Sequence, residues 1–283
     1  MLCKPSDLLI GYPEVASLPT IYNRLNEAIN SPHTSMAELG RIIKDDPGLT
    51  ARLLRLVNSP FYGFPSKIET ISRALVIVGV QQVRDLALAT AVVNLFRGIP
   101  EHMVSMESFW RHSIACGVAA KILATFRREA NVERYFVAGI LHDIGRLIIN
   151  IRIPDKARDA LSRSESEGEL FYQAEHQVIG FDHAAVGSAL LQAWNLPPSL
   201  EEVVAYHHNP EGARQFPIET AIVHVADILA HAMQLGNSGE RFVPPLDEQA
   251  WDNIGLSTSV LSPTLDQLER QFTDVVDTIL KAA

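Results

Sequence analysis

Apolar residues recur at three- and four-residue spacing along most of the chain, the pattern of helices that bury one face. Met36, Leu39, Ile42 and Ile43 line one side of a predicted helix over 36–44, which Pro47 closes. Leu53, Leu54, Leu56 and Val57 do the same over 50–57, with Arg52 and Arg55 on the other side. Asn58, Ser59 and Pro60 stop that helix, since Asn tolerates a C-terminal cap and Pro has no N–H to continue the ladder. Residues 61–67, with aromatics, Gly63 and Pro65, read as a packed loop. Further helices are predicted over 70–78, 81–96, 108–126, 132–149, 154–167, 170–178, 182–196, 217–235 and 265–280. Ser199 and Glu202 have capping-box spacing and predict a short helix ending near His207. No run alternates with the two-residue period of a strand, and no repeat is present. The predicted class is all-α, a two-part helical bundle.

Gly98, Ile99 and Pro100 mark a boundary between the halves. The predicted division is 1–98, 99–240 and a C-terminal extension over 241–283. In that extension Leu265, Leu268, Phe272, Val275, Val276 and Ile279 form one apolar side, expected to pack on its own chain.

Composition narrows the function classes. Of 283 residues, 47% are hydrophobic and 20% charged, as in a globular protein, and the net charge of -9 argues against bulk nucleic-acid binding. A local basic patch leaves small anionic ligands open; Arg52, Arg55, Arg73 and Arg84 read as a solvated surface or an anion-binding face. Cys3 and Cys116 make no disulfide framework, which points to a reducing cytoplasm. The polar start, with Lys4 and Asp7, does not read as a signal peptide, and the apolar run 74–80 is too short to span a bilayer. No membrane insertion is expected.

Five separate segments supply histidine or aspartate: His112 in FWRHS, His142 and Asp143 in GILHDIGRL, His183 in FDHAAVG, His207 and His208 in AYHHNP, and Asp227 in HVADILA. Imidazole and carboxylate are common ligands of zinc, iron and manganese, and helical bundles assemble such sites from facing helices. On a helix, neighbouring side chains point about 100° apart, so His142 can serve one ion while Asp143 bridges to a second. Two ions about 3.5–4 Å apart polarise a phosphoryl group and activate water. Hydrogen-bonded polar groups within a core are the other reading of these residues, since a buried charge needs a partner of some kind. Asp182 reads as a helix cap, and His224, three residues before Asp227, as a neighbour supporting the cluster. His33, His102, His176 and His231 stand outside this pattern.

The order His112, His142-Asp143, His183, His207-His208, Asp227 resembles the HD superfamily of metal-dependent phosphohydrolases, and in particular its HD-GYP phosphodiesterase branch. IIKDDPGLTARLLRLVNSPFYG and IETISRALVIVGVQQVRDLAL in the first half, with AGILHDIGRL and DHAAVGSALLQAWNLP in the second, resemble the HDOD family of bacterial signalling proteins over about residues 15–235. The resemblance implies an HD-like helical core in the second half. It implies that His112, His142, Asp143 and Asp227 share one ion, and that His183, His207 and His208 serve a second with Asp143 bridging. The cofactor implied is one or two divalent ions (iron, manganese, zinc or nickel), or none. Arg146 stands where HD-GYP proteins carry lysine, Asn209-Pro210-Glu211-Gly212 replaces the Gly-Tyr-Pro signature, and Ser108 stands where an acidic ligand is sometimes found. Arginine keeps the charge but does not readily release a proton. The expected function is regulation through contact with a signalling partner. The alternatives are hydrolysis of a nucleotide or cyclic dinucleotide, with Asp143 and Arg146 in the catalytic set, and non-catalytic sensing of such a ligand.

Overall fold

A computed structural model describes residues 4–11, 17–96 and 105–280, and the described residues form helices and loops with no strand. The helices are α1 (Thr20–Asn30), α2 (Met36–Lys44), α3 (Pro47–Val57), α4 (Ile71–Ile77), α5 (Val80–Leu95), α6 (Met106–Arg127), α7 (Val132–Leu141), α8 (Ile144–Arg152), α9 (Pro154–Glu167), α10 (Phe171–Ile179), α11 (His183–Ala193), α12 (Pro198–Tyr206), α13 (Pro217–Ala232), α14 (Glu248–Ile254) and α15 (Leu261–Leu280). The class is all-α, as the periodicity predicts.

Two compact units result, one from residues 18–97 and 266–283, the other from 1–17 and 98–265. The chain passes from one unit to the other between residues 97 and 98, while 241–283 is not a unit of its own: residues 241–265 group with the second half and 266–283 with the N-terminal half. The Gly98-Ile99-Pro100 boundary lies outside the described residues. No single described helix is long and apolar enough to cross a membrane.

In the smaller unit, α2 and α3 are separated by Asp46, whose carboxylate accepts from the Leu49 N–H at 2.8 Å, with Pro47 in the first turn of α3. Asn58 does more than end α3. Its amide donates to Leu54 O and Ile68 O, and its carbonyl accepts from Ile68 N–H at 2.7 Å, which clamps the 58–70 loop. Arg84 is paired with its buried neighbour Asp85. Burial, partly offset by Arg84, pushes the Tyr22 hydroxyl up to about 12. On α15, Leu268, Phe272, Val275, Val276 and Ile279 are buried, and Leu265 only partly so.

In the larger unit α6 is central, packed on α7 and α13 and buried nearly all round. Around this axis α8 packs on α11, α11 on α12, and α9 on α10. Lys121, on α6, is buried 3.8 Å from the Glu133 carboxylate of α7. Burial, only partly offset by Glu133, pulls its ammonium down to about 7 from 10.5. Between these values the unfolded chain binds more protons at Lys121 than the folded one, so this group makes stability rise with pH across that window. Urea unfolding of the wild type at pH 7 and at about pH 9 is expected to show that rise, and Lys121→Met is expected to remove it. Equal slopes in the two proteins would show that Lys121 is solvated in the folded state.

Candidate metal centre

The residues 132–149, predicted as one helix, form two. The chain turns at His142 and Asp143, where Asp143 has φ −96° and ψ 5°, and α8 begins at Ile144. The pair therefore sits at a helix junction rather than mid-helix. The junction aims both side chains inward, toward α6, α11 and α13. The predicted capping box also fails: Pro197 and Pro198 start α12, which places Ser199 inside the helix. The Glu202 carboxylate instead accepts the backbone N–H groups of Arg214, Gln215 and Phe216 and ties down the loop before α13.

All seven histidine and aspartate residues singled out in the sequence converge within the larger unit. Asp143 Oδ1 is 2.9 Å from His183 Nε2 and 3.8 Å from His207 Nε2, and His208 Nε2 is 2.9 Å from His183 Nε2. Asp143 Oδ2 lies 3.3 Å from His142 Nε2 and 3.8 Å from His112 Nε2. Asp227 Oδ1 is 3.0 Å from His112 Nε2 and 3.4 Å from His142 Nε2. His112, His142, Asp143, His183 and His207 are each no more than 1% exposed, while His208 is half-buried and its ring stacks on Tyr172 at 4.3 Å.

The outer edges of the rings are held. His142 Nδ1 donates to Gly139 O at 2.6 Å and His207 Nδ1 to Val204 O at 2.9 Å. His183 Nδ1 meets Glu175 Oε2 at 2.5 Å, and the same oxygen accepts the His183 backbone N–H. In each ring an acceptor fixes Nδ1 and turns Nε2 toward the carboxylates, the usual support for metal-binding imidazole. His224 supports the cluster through the backbone. Its Nε2 accepts from Asp247 N–H, so Nδ1 donates to His207 O at 2.8 Å.

Inside this frame His112 Nε2, His142 Nε2, His207 Nε2 and Asp227 Oδ1 are buried without a well-formed hydrogen bond, and each nitrogen stands in ion-pair contact with Asp143 or Asp227. Buried polar atoms are normally satisfied, so nitrogens and carboxylate oxygens aimed at common points fit a divalent cation. Sets of donor atoms within 4.8 Å of one another are Asp143, His183, His207 and His208; His112, His142 and Asp143; His112, Asp227 and His231; and Cys116, His142 and Asp227. The cluster can hold a metal.

Its electrostatics ask for positive charge. Burial works against ionisation of Asp143, yet Arg146, His142 and His183 outweigh it and hold the carboxyl well below its usual range. Asp227 is likewise held low against burial, by His231, His112 and His142. Burial opposes the charge on His142 and His183, but the carboxylates prevail. His142 is raised well above its usual value, and His183 rises to about 9 through Glu175 and Asp143 despite Arg146. Burial and the rings beside them push the others down, His207 to about 3, His231 to about 4 and His208 well below its usual value.

Arg146 is built into the centre. Its Nε donates to Asp143 Oδ1 at 3.1 Å and Nη1 to Ser238 O at 3.3 Å, and the guanidinium lies 4.8 Å over the Phe171 ring. The 236–242 segment crosses here, pinned by Asn237 N–H on Ser108 O and by Glu240, whose carboxylate accepts the N–H groups of Phe171, Arg241 and Phe242. Three of these participants escape sequence reasoning: Glu175, Glu240 and His231. Glu175 carries a signal, a charge one turn after Phe171 on the side that also carries Val178. His231 carries another, four residues after Asp227 on one helix.

An all-helical chain with a buried His/Asp centre at a helix junction defines the class. The sequence profile of the HDOD domain matches residues 15–210, well over half of the chain, and the chain belongs to the HDOD family. An HDOD domain protein of unknown function from Geobacter sulfurreducens has the same fold, with TM-score 0.76 and 26% identity over 94% of this chain and 92% of that one. A Shewanella amazonensis SB2B protein, provisionally named a phosphohydrolase, aligns with TM-score 0.75 and 25% identity over 96% of this chain and 97% of that one. An uncharacterized protein of Treponema pallidum (strain Nichols) is 24% identical over 198 residues, 69% of this chain but only 38% of that relative's length.

Proposed function

We infer that this chain is a regulatory module that acts by contact with a signalling protein, and that its His/Asp centre holds divalent metal for structure or sensing rather than hydrolysis. The observation that carries this reading is the burial of the ligands together with the arginine on their shared carboxylate. Five of the seven predicted ligands are no more than 1% exposed, and Arg146 occupies Asp143 Oδ1 under the Phe171 ring. Catalytic metal sites keep a position open to substrate, whereas structural sites are closed. His112, His142, Asp143, His183, His207, His208 and Asp227 would hold the ion or ions. When bound, a divalent ion supplies the positive charge that two buried carboxylates demand and displaces ring protons. The unpaired, buried Cys116 fits a reducing cytoplasm.

The second reading, a phosphohydrolase acting on a nucleotide or cyclic dinucleotide, draws on one feature: His208 and Tyr172 are only partly buried and give the centre an outer face. Against it, Arg146 lies on Asp143, the carboxylate that faces both ligand sets, where the phosphodiesterase branch carries lysine.

Elemental analysis of the purified full chain, with thermal unfolding before and after chelation, tests the structural role. Bound metal is expected at one or two ions per chain, and its removal is expected to lower stability. The size is about 4 kcal/mol where free metal stood about 1,000-fold above Kd. A metal-free protein with the same melting temperature after reconstitution would leave the cluster as hydrogen-bonded core and sink the reading.

A further inference from the structure

We propose that His231 is a metal ligand, joining His112 and Asp227 at a cation position whose sequence pattern does not include it. This rests on reading the cluster as a metal centre. Asp227 and His231 are four residues apart on α13, one turn of the same helix face, so their side chains reach a common point without any loop to order. His231 Nε2 is 3.3 Å from Asp227 Oδ1, the oxygen that His112 Nε2 approaches to 3.0 Å from α6. The His112 and His231 rings stand 4.2 Å apart, and the three donor atoms lie within 4.8 Å of one another.

The alternative is that His231 only hydrogen-bonds Asp227. Three observations weigh against it. Asp227 Oδ1 has three imidazole nitrogens within 3.4 Å, those of His112, His142 and His231, yet it is buried with no hydrogen bond. His112 Nε2 faces the Asp227 and Asp143 carboxylates at 3.0 and 3.8 Å, while its Nδ1 is buried without a hydrogen-bond partner, so no acceptor on the outer edge fixes this ring. The His231 side chain is 8% exposed, although it is the last residue but one of α13, where a histidine with no partner would turn to solvent. Several nitrogens converging on one unsatisfied carboxylate oxygen is an arrangement that a cation explains and a lone hydrogen bond does not.

The consequence is a division of labour within the cluster. Asp143, His183, His207 and His208 form one ligand set, and Arg146 touches its carboxylate. His112, Asp227 and His231 form another, with His142 beside it and no arginine bond. The second set is therefore the one whose carboxylate carries no arginine bond.

The test uses the chelator-stripped full chain and cobalt(II) as the probe, with affinity read by competition against a chromophoric chelator. His231→Gln is expected to weaken binding of one ion roughly 10- to 100-fold, with an unchanged circular dichroism spectrum in the metal-free form. His231→Cys provides an independent readout: a thiolate-to-cobalt charge-transfer band beyond any that Cys116 gives the wild type. Wild-type affinity in His231→Gln, with no added band in His231→Cys, would overturn the assignment while leaving the metal centre in place. A wild type that binds neither cobalt, zinc nor manganese would overturn both. If His231→Gln does not fold, the cysteine variant decides alone.

Discussion

Asp143→Ala is expected to cost about 3–5 kcal/mol in unfolding free energy, the usual loss when one partner of a buried charged pair is removed. The same change is expected to empty the centre of metal. The carboxylate lies 3.1 Å from Arg146 Nε and 2.9 Å from His183 Nε2, and Arg146 is only 2% exposed. Removing it leaves the Arg146 guanidinium in the core without the carboxylate it hydrogen-bonds, and leaves His183 with Glu175 alone as its counter-charge. It also takes away the one carboxylate shared by the His183–His207–His208 set and the His112–His142 set. Asp143→Asn keeps the volume and an acceptor, so its stability loss is expected to be smaller while its metal loss is nearly as large. Urea unfolding combined with elemental analysis reads both quantities. An alanine variant as stable as the wild type, or still loaded with metal, would show that this carboxylate does not organise the centre.

The second large effect is steric. A Cβ on Gly145 would overlap the carbonyl oxygen of His183 and sit 2.6 Å from the Gly187 nitrogen. Both obstacles are backbone, so no side chain can rotate away, and α8 must move off α11. Overpacking of this kind costs about 1–3 kcal/mol and occasionally more, and Gly145→Ala is expected near the top of that range. The displaced helix begins one residue after Asp143 and the opposing helix begins at His183, so metal affinity is expected to fall with stability. Gly168→Ala is the control. It carries φ +68° but has nothing within 4 Å of a Cβ, so its cost is expected to be only about 1–2 kcal/mol for the left-handed backbone, with metal affinity unchanged. Equal losses in the two variants, or metal affinity untouched in Gly145→Ala, would contradict the close approach of α8 and α11 as the device that places Asp143 against His183.

Much of this architecture is legible in the residues, and the failures have physical causes. Met36–Lys44 and Pro154–Glu167 end where the periodicity and punctuation put them, because Asp45, Asp46 and Pro47 close the first and Gly168 the second. The helix break at His142-Asp143 is not legible. Val137 to Leu147 is apolar and small except for His142, Asp143 and Arg146, so no face announces itself, and the turn is set by what the pair meets from α6, α11 and α13. The Ser199–Glu202 spacing misleads because Pro197 and Pro198 start the helix themselves, freeing Glu202 to take up the backbone of residues 214–216. The seven ligand candidates are found by residue type and sequence order, yet type and order cannot say that Arg146 lies on Asp143 or that Glu240 pins the segment above it. Glu175 and His231 are visible in hindsight as polar groups at helical spacing from Phe171 and Asp227. Their partners come from packing alone.

Hydrolysis by the metal-loaded protein separates the account from its rival most directly. Full chain with its metal content measured would be given a generic phosphodiester and cyclic dinucleotides, in manganese and in iron(II), beside Asp143→Ala under the same conditions. With metal bound and Arg146 held on Asp143 over the Phe171 ring, the expected result is no turnover above the Asp143→Ala background. Metal-dependent hydrolysis that Asp143→Ala abolishes would contradict the account and make the chain a phosphohydrolase whose centre opens to its substrate.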